Sequence, residues 1–136
     1  MNDAEMTNAA ERAKRENLVL FGVFAAIAAL LLLLAGLYRC RHSYSQHKWN
    51  TDQAHRYRIV GDLLDRHLLD GLTEAEVIAL LGEEDSGERT SFKISKRYFP
   101  PETTLVYWLG VDFMDDNWLV VSLDDGVVTD VCTDLS

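Results

Sequence analysis

Four residues near the middle of the chain have side chains of the kind that bind metals. They are one cysteine and three histidines: Cys40, His42, His47 and His55. Structural zinc sites take sets of four Cys or His ligands at short, regular spacings. The intervals here match no such pattern. Cys40, His42 and His47 lie close together in the sequence, but a fourth ligand for them is not evident. We therefore expect a solvated segment at this point of the chain and no bound metal.

Five aspartates lie in segments that we interpret as connections between strands. They are Asp112, Asp115, Asp116, Asp124 and Asp125. Paired carboxylates can bind calcium or carry out acid–base chemistry. The segment lacks the alternating ligands and the glycine of a calcium loop. We interpret the aspartates as charged turns that discourage pairing of sheet edges. A small metal-dependent enzyme that uses the Asp cluster is the alternative.

Charge is divided unevenly along the chain, whose net value is −9. Residues 1–48 contain six Lys/Arg and four Asp/Glu, whereas residues 49–136 contain seven Lys/Arg and eighteen Asp/Glu. Nucleic acid binding needs cations that this acidic part does not supply. The sequence also has no nucleophile elbow and no glycine-rich phosphate loop. We predict a non-enzymatic protein without cofactors or nucleic acid ligands. A basic protein partner matches the charge of the acidic part better than nucleic acid does.

An uncharged run begins at Leu18 and ends at Tyr38. As a helix, these 21 residues would reach about 31 Å, close to the hydrocarbon thickness of a bilayer of roughly 30 Å. A cleaved signal peptide has a shorter apolar region followed by small residues, whereas this run is longer and is followed by Arg39. We predict one membrane-spanning helix that contacts lipid over residues 18–38, with Tyr38, Tyr44 and Trp49 at the interface.

The membrane helix contains two pairs of small residues at a spacing of four. They are Gly22 with Ala26, and Ala25 with Ala29. Such pairs allow two helices to approach closely, so this face is a candidate for homodimerisation.

The orientation of the helix depends on the flanking cations. Three Lys/Arg precede it and five lie within the first twenty residues after it, which favours a cytoplasmic domain. Acylation of Cys40 is left open.

The remaining chain divides into a tail (1–17), a juxtamembrane connector (39–50) and an α+β domain (51–136). We predict a helix capped by Thr51, with His67 on its apolar face. Thr73 and Glu76 have the spacing of a capping box that opens a second helix. Three strands follow, over residues 104–108, 118–123 and 127–132, and residues 91–95 could form an edge strand. This order predicts two helices on one face of an antiparallel sheet.

Three segments together resemble a known family. They are Gly71-Leu-Thr-Glu-Ala-Glu-Val-Ile-Ala-Leu-Leu-Gly82, Tyr107-Trp-Leu-Gly110, and Asp116-Asn-Trp-Leu-Val-Val-Ser-Leu-Asp-Asp-Gly126. Residues 56–132 resemble the BamE (SmpA/OmlA-type) domain family, and most closely its uncharacterised small relatives. The resemblance implies an α-α-β-β-β fold, no enzymatic activity and a role in the cell envelope. It favours an extracytoplasmic domain anchored in the inner membrane, against the charge rule.

One irregular segment combines aromatic residues with the basic cluster of the domain. It contains Lys93, Lys96, Arg97, Tyr98 and Phe99. Exposed aromatics flanked by charge are typical partner-binding anchors, while packing over the sheet is the structural alternative. We predict a membrane-anchored domain that binds a protein through the sheet or through residues 92–101, with a cytoplasm-facing regulatory domain as a further alternative.

Overall fold

A computed structural model of the chain describes residues 2–85, 92–94 and 97–135. Side chains are described for all of these except residues 92–94, 97, 98 and 112. The chain divides into two compact units, Met1–Cys40 and Arg41–Ser136. The α-helices are α1 (Asp3–His42), α2 (Gln46–Thr51), α3 (Val60–Asp65) and α4 (Glu74–Leu81). The strands are β1 (Phe92–Ile94), β2 (Arg97–Phe99), β3 (Thr104–Asp112), β4 (Asp115–Asp124) and β5 (Val127–Leu135). Two 3₁₀ helices cover Gln53–Arg58 and Pro101–Thr103.

Helix α1 contains the uncharged run and continues beyond it at both ends. It has 40 residues and is long and apolar enough to cross a membrane. The tail before residue 18 is helical from Asp3 onward, which agrees with its content of helix-forming residues. None of its residues is buried within the chain, as lipid or solvent contact requires.

The predicted α+β fold is confirmed, with an antiparallel sheet in the order β3-β4-β5. Asp112 pairs with Asp115 and Asp124 pairs with Val127, so each connection is a two-residue turn. The β4–β5 turn uses Gly126 at φ 76°, as its Asp-Gly sequence predicts. The strands are longer than the alternation indicated. A separate antiparallel pair, β1 with β2, precedes them.

Strand β3 continues beyond the predicted end at residue 108 and includes Gly110. This glycine lies inside β3 at a register shift, with φ of 116°. A Cβ at this position would overlap the backbone oxygen of Ala54. Glycine therefore allows β3 to lie directly against the 3₁₀ helix Gln53–Arg58.

The helical region before α4 is more broken than the sequence pattern indicated. The single helix predicted after Thr51 is replaced by the 3₁₀ helix Gln53–Arg58 and α3. Thr51 is the last residue of α2, so its prediction as an N-cap is wrong. His67 was placed on the apolar face, but it adopts φ of 52° and its exposed side chain pairs with Asp70 at 2.9 Å. Ile59, Val60 and Leu63 supply the buried face instead.

The predicted connector belongs to the second unit from Arg41 onward. Trp49 is fully buried, so its prediction as a membrane-interface residue is wrong. Its indole N–H donates to the carbonyl of Leu81 at 2.9 Å, and the Tyr44 hydroxyl donates to that of Leu80 at 3.2 Å. Gln46 donates to the carbonyl of Ala79 at 2.6 Å. These side chains satisfy the carbonyls that the end of α4 leaves unpaired.

The capping box that opens α4 is confirmed. The Thr73 hydroxyl accepts from the Glu76 N–H, while the Glu76 carboxylate accepts from the Thr73 N–H at 2.8 Å. These hydrogen bonds to the ionised carboxylate lower the pKa of Glu76. Gly82 ends the helix at φ of 87°, as its position predicted.

The sheet has buried residues on both faces. The face toward the helices carries Leu105, Tyr107 and Leu119 in the main core. The opposite face has a smaller cluster, Val106 and Val120, with Phe99 packed against it. Burial and the nearby carboxylates of Glu84, Asp85 and Glu83 raise the pKa of Tyr107, whose hydroxyl donates to the Gly82 carbonyl at 3.0 Å.

Candidate functional site

The four candidate metal-ligating residues lie on three different helices. Cys40 and His42 lie on α1, His47 is exposed on α2, and His55 pairs with Asp52 at 2.7 Å. Within the described part of the chain, no three Cys, His, Asp or Glu residues come together in a way that could hold a metal ion.

The aspartates separate into two groups at opposite ends of the sheet. Asp115 and Asp116 begin β4, while Asp124 ends the same strand and Asp125 follows it. Ten residues of extended strand span roughly 30 Å from the first to the last. Asp116 also accepts a hydrogen bond from the Trp108 indole at 2.8 Å. The two groups are too far apart to act together on one substrate atom, which removes the geometric basis for an enzyme using all of them.

A buried cation organises the polar part of the domain. Arg56 is 2% exposed and its guanidinium pairs with the carboxylate of Asp85. It also donates to the carbonyls of Trp49 at 2.9 Å and Trp108 at 3.2 Å. Its guanidinium carbon lies 4.6 Å from the centre of the Trp49 ring. Every one of these partners belongs to the fold, so we assign Arg56 a structural role.

The two outer strands of the sheet differ in how their edges are covered. On β3, Glu84 accepts from the Val106 N–H at 3.3 Å and Asp85 accepts from the Trp108 N–H at 2.9 Å. On β5, Val127 pairs with Thr73 and the Val128 N–H donates to Leu72 at 2.8 Å. Beyond that point, no strand in the described ranges pairs with the outer edge of β5.

The end of the β3–β4 hairpin carries the most exposed apolar side chains among those described in the second unit. Phe113 is 93% exposed, Met114 is 82% exposed and Val111 is 56% exposed. We call these three residues the apolar tip. Phe113 has φ of 59°, a conformation that bulky residues rarely adopt. Large apolar groups displayed together are typical of interaction surfaces.

The basic-aromatic segment is only partly visible as a site. Lys93 lies in β1, and Arg97 and Tyr98 lie in β2, where the backbone alone is described. Lys96 lies outside the described residues. Phe99 is half-buried and packs against Val106 and Val120, so it takes part in covering the sheet.

The small-residue face of α1 is open in the structure. Gly22, Ala25, Ala26 and Ala29 are all exposed, and a Cβ added at Gly22 would meet nothing within 4 Å. Its role in helix pairing stays a prediction.

Two features were missed from the sequence, the apolar tip and the outermost position of β5 among the described strands of the sheet. The tip has a local signal, because two large apolar residues stand between Asp112 and Asp115 where turn-forming residues are expected. The position of β5 has no such signal, since which strand lies outermost depends on tertiary pairing.

The fold and these surfaces define a small α+β unit in the same chain as a helix that could cross a membrane. Comparisons with protein-family models, curated proteins and solved structures gave no match for the chain.

Proposed function

We propose that this chain is a single-pass membrane protein whose acidic α+β domain binds another protein and performs no catalysis. The length and composition of α1 support the anchor. The resemblance of residues 56–132 to BamE-type domains supports an extracytoplasmic position of the domain and a role in cell-envelope assembly or maintenance.

The observation that carries the proposal is the apolar tip. Strand pairing continues to Asp112 and Asp115, so the two-residue turn is held by the sheet. Phe113 and Met114 gain nothing for the fold from this exposure, whereas burial against a partner would remove their apolar surface from water. Exposed aromatic side chains on a well-ordered support are common anchors of protein interfaces.

Charge favours a protein over a lipid surface as the partner of the tip. Asp115 and Asp116 directly follow the turn, and residues 49–136 contain eighteen acidic against seven basic residues. Anionic lipid headgroups repel such a surface. A partner with an apolar pocket and a basic rim would complement both the side chains and the charge.

Site-specific photocrosslinking tests the proposal in the full-length chain in native membranes. A photoreactive amino acid replaces Phe113 in one variant and Asp125 in the other. Asp125 is a matched control because it is exposed in the other two-residue turn of the same sheet. We expect one protein adduct of defined mass from position 113, none from position 125, and loss of the adduct in a Met114→Asp background. Lipid adducts alone, or equal yields from both positions, would contradict the proposal.

A further inference from the structure

A second apolar surface lies on the helical side of the domain. It is a groove of about 420 Å³ between α4 and the segment that precedes this helix, lined by Leu68, Leu72, Glu76, Ala79 and Leu80. The three leucines pack against the main core on one side and are only partly buried, while Ala79 is exposed beside them. The groove therefore offers apolar surface that the core does not use.

Hydrogen bonds of the fold hold both walls of the groove in place. On the wall formed by α4, the carbonyl of Ala79 accepts from the side chain of Gln46 at 2.6 Å. On the opposite wall, the carbonyl of Leu72 accepts from the Val128 N–H at 2.8 Å. Because the walls are already positioned, a partner that binds there does not have to order them.

The chemistry of the lining favours apolar side chains of a partner over a small polar molecule. Among the described residues that line the groove, only Glu76 is polar. Its carboxylate already accepts from the N–H and the hydroxyl of Thr73, each at 2.8 Å. Sites for small molecules combine apolar walls with several convergent polar groups. An amphipathic helix needs only an apolar groove for its apolar face.

Charge around the groove indicates which helix would be selected. Residues 62–76, which contribute to both walls, contain five Asp/Glu and one Arg. That cation, Arg66, pairs with Asp62 at 3.3 Å, and His67 pairs with Asp70 at 2.9 Å. Carboxylates therefore remain in excess at the rim of the groove. Lys or Arg beside the apolar residues of a bound helix would complement this rim.

The same charge makes two other occupants unfavourable. In a second copy of the chain, the apolar tip is followed directly by Asp115 and Asp116, which docking would bring to the groove beside Glu76. Like charges placed together across an interface oppose association. Anionic lipid headgroups would meet the same repulsion from the acidic rim.

We infer that the groove between α4 and residues 68–72 binds an amphipathic helix of a partner protein, with Lys or Arg beside its apolar face. Apolar contact would supply the affinity, and the carboxylates at the rim would supply the selection. The inference rests on the proposed function, since it takes the domain to be a protein-binding module. It adds a contact separate from the apolar tip and a chemical class for the segment bound there.

Two helical peptides of equal length test the inference with the full chain in zwitterionic nanodiscs. Both have leucines on one helical face, and the opposite face has lysines in one peptide and glutamates in the other. Dissociation constants are measured, with empty nanodiscs as the reference for binding to lipid. We expect the Leu/Lys peptide to bind at least about tenfold more tightly than the Leu/Glu peptide. Equal affinities would overturn the inference.

Two alanines of α4 provide a matched pair of variants. Ala79 lines the groove, whereas Ala75 is exposed on the same helix outside its lining. Both variants should fold, because both positions are exposed and arginine is a good helix former. We expect Ala79→Arg, which places a cation in the groove, to weaken binding of the Leu/Lys peptide at least about tenfold. Ala75→Arg makes the same charge change and should alter binding less than about threefold. Equal losses would contradict the assignment of the groove.

Photocrosslinking in native membranes distinguishes the occupants. With a photoreactive amino acid at position 79 or position 75, we expect a protein adduct from the first and little from the second. Lipid adducts alone would overturn the inference in favour of lipid, and an adduct of twice the mass of the chain would overturn it in favour of a second copy. The outcome is independent of the apolar tip. A protein adduct at position 113 with no response of the groove would leave the proposed function standing and reject this inference alone.

Discussion

The carboxylate of Asp85 pairs with the guanidinium of Arg56, and the same oxygen accepts a hydrogen bond from the backbone N–H of Trp108. Asp85, which follows α4 in the sequence, therefore neutralises the buried guanidinium of Arg56 and covers the outer edge of β3. Because the Asp85 N–H also donates to the Val106 carbonyl at 3.0 Å, the segment behaves as a short cover for that edge. The pair links the helical region to the sheet.

Breaking this ion pair should destabilise the domain strongly. Arg56→Met leaves Asp85 without its cation, and we expect a loss of about 3–5 kcal/mol in the free energy of unfolding. Asp85→Asn should cost a similar amount, with the double variant less damaging than the sum. Denaturant unfolding of the full chain in detergent measures these values. Arg66→Met is the control, because Arg66 is exposed and its pair with Asp62 should contribute only about 0–1 kcal/mol.

Substitution of two glycines should change stability in opposite directions. Gly110→Ala introduces a side chain at positive φ and against the Ala54 backbone, so we expect a loss of more than about 1 kcal/mol. Gly61→Ala lies in α3 with open space around the new methyl group, and we expect a gain of about 0.5–1 kcal/mol. Thermal melts of the two variants under identical conditions test the pair. A tolerated Gly110→Ala would show that β3 does not need this close approach.

The capping box should make stability depend on pH in the acidic range. The pKa of Glu76 is lowered in the folded state, chiefly by the hydrogen bond from the Thr73 backbone. The contribution of ionised Glu76 to the free energy of unfolding is therefore complete above the pKa of about 4.3 in the unfolded chain. It is lost as pH falls through the lower pKa of the folded state. We expect Glu76→Gln to flatten the change in melting temperature between about pH 6 and pH 3. Glu74→Gln serves as the control, because Glu74 lies in the same turn outside the capping box.

At alkaline pH the dependence of stability on pH has the opposite sign, because Tyr107 is the group that ionises. Its pKa is raised by burial and by neighbouring carboxylates, so folding favours the neutral phenol. That contribution is complete below the unfolded pKa of about 10 and falls as pH rises beyond it. Tyr107→Phe should lose about 1 kcal/mol at neutral pH, because the Gly82 carbonyl loses its donor. The variant should also lose less stability than the parent between pH 9 and pH 11, roughly one unit either side of that pKa.

Local patterns in the sequence were sufficient for the elements that depend on local physics. The uncharged run indicated α1, the alternation of apolar residues indicated β3, β4 and β5, and the spacing of Thr73 and Glu76 indicated the start of α4. Each of these signals is contained within a few turns of helix or one strand. The Asp-Gly sequence at 125–126 also specifies that β4 and β5 are antiparallel, since a two-residue turn allows no other connection.

The features that were missed depend on contacts between distant parts of the chain. Trp49 is followed by 31 residues before its hydrogen-bond partner, Leu81, and nothing near it in the sequence indicates burial. Nothing near Arg56 in the sequence distinguishes it from an exposed arginine. Its burial depends on Asp85 and Trp108, which are distant in the sequence. His67 was assigned by helical periodicity, but the chain leaves the helix at Arg66. Tertiary contacts override local preference at all of these positions.

The backbone at Phe113 leads to a prediction that separates stability from binding. It is the first residue of a two-residue turn and has φ of 59°, where hairpins of the type II′ form favour glycine. A non-glycine residue in this conformation costs about 1–2 kcal/mol. Phe113→Gly should therefore raise the free energy of unfolding by up to about 1 kcal/mol while removing the aromatic side chain from the apolar tip.

The same variant should weaken partner capture by the apolar tip. With the photoreactive group moved to Met114, we expect the yield of the protein adduct to fall at least about fivefold in Phe113→Gly, because an aromatic anchor contributes more than about 1 kcal/mol to binding. Asp125→Gly is the matched control, since Asp125 has φ of 49° in the other turn. It should leave the adduct unchanged. A Phe113→Gly protein that is more stable and still gives the full yield would show that the exposed phenylalanine has no part in binding.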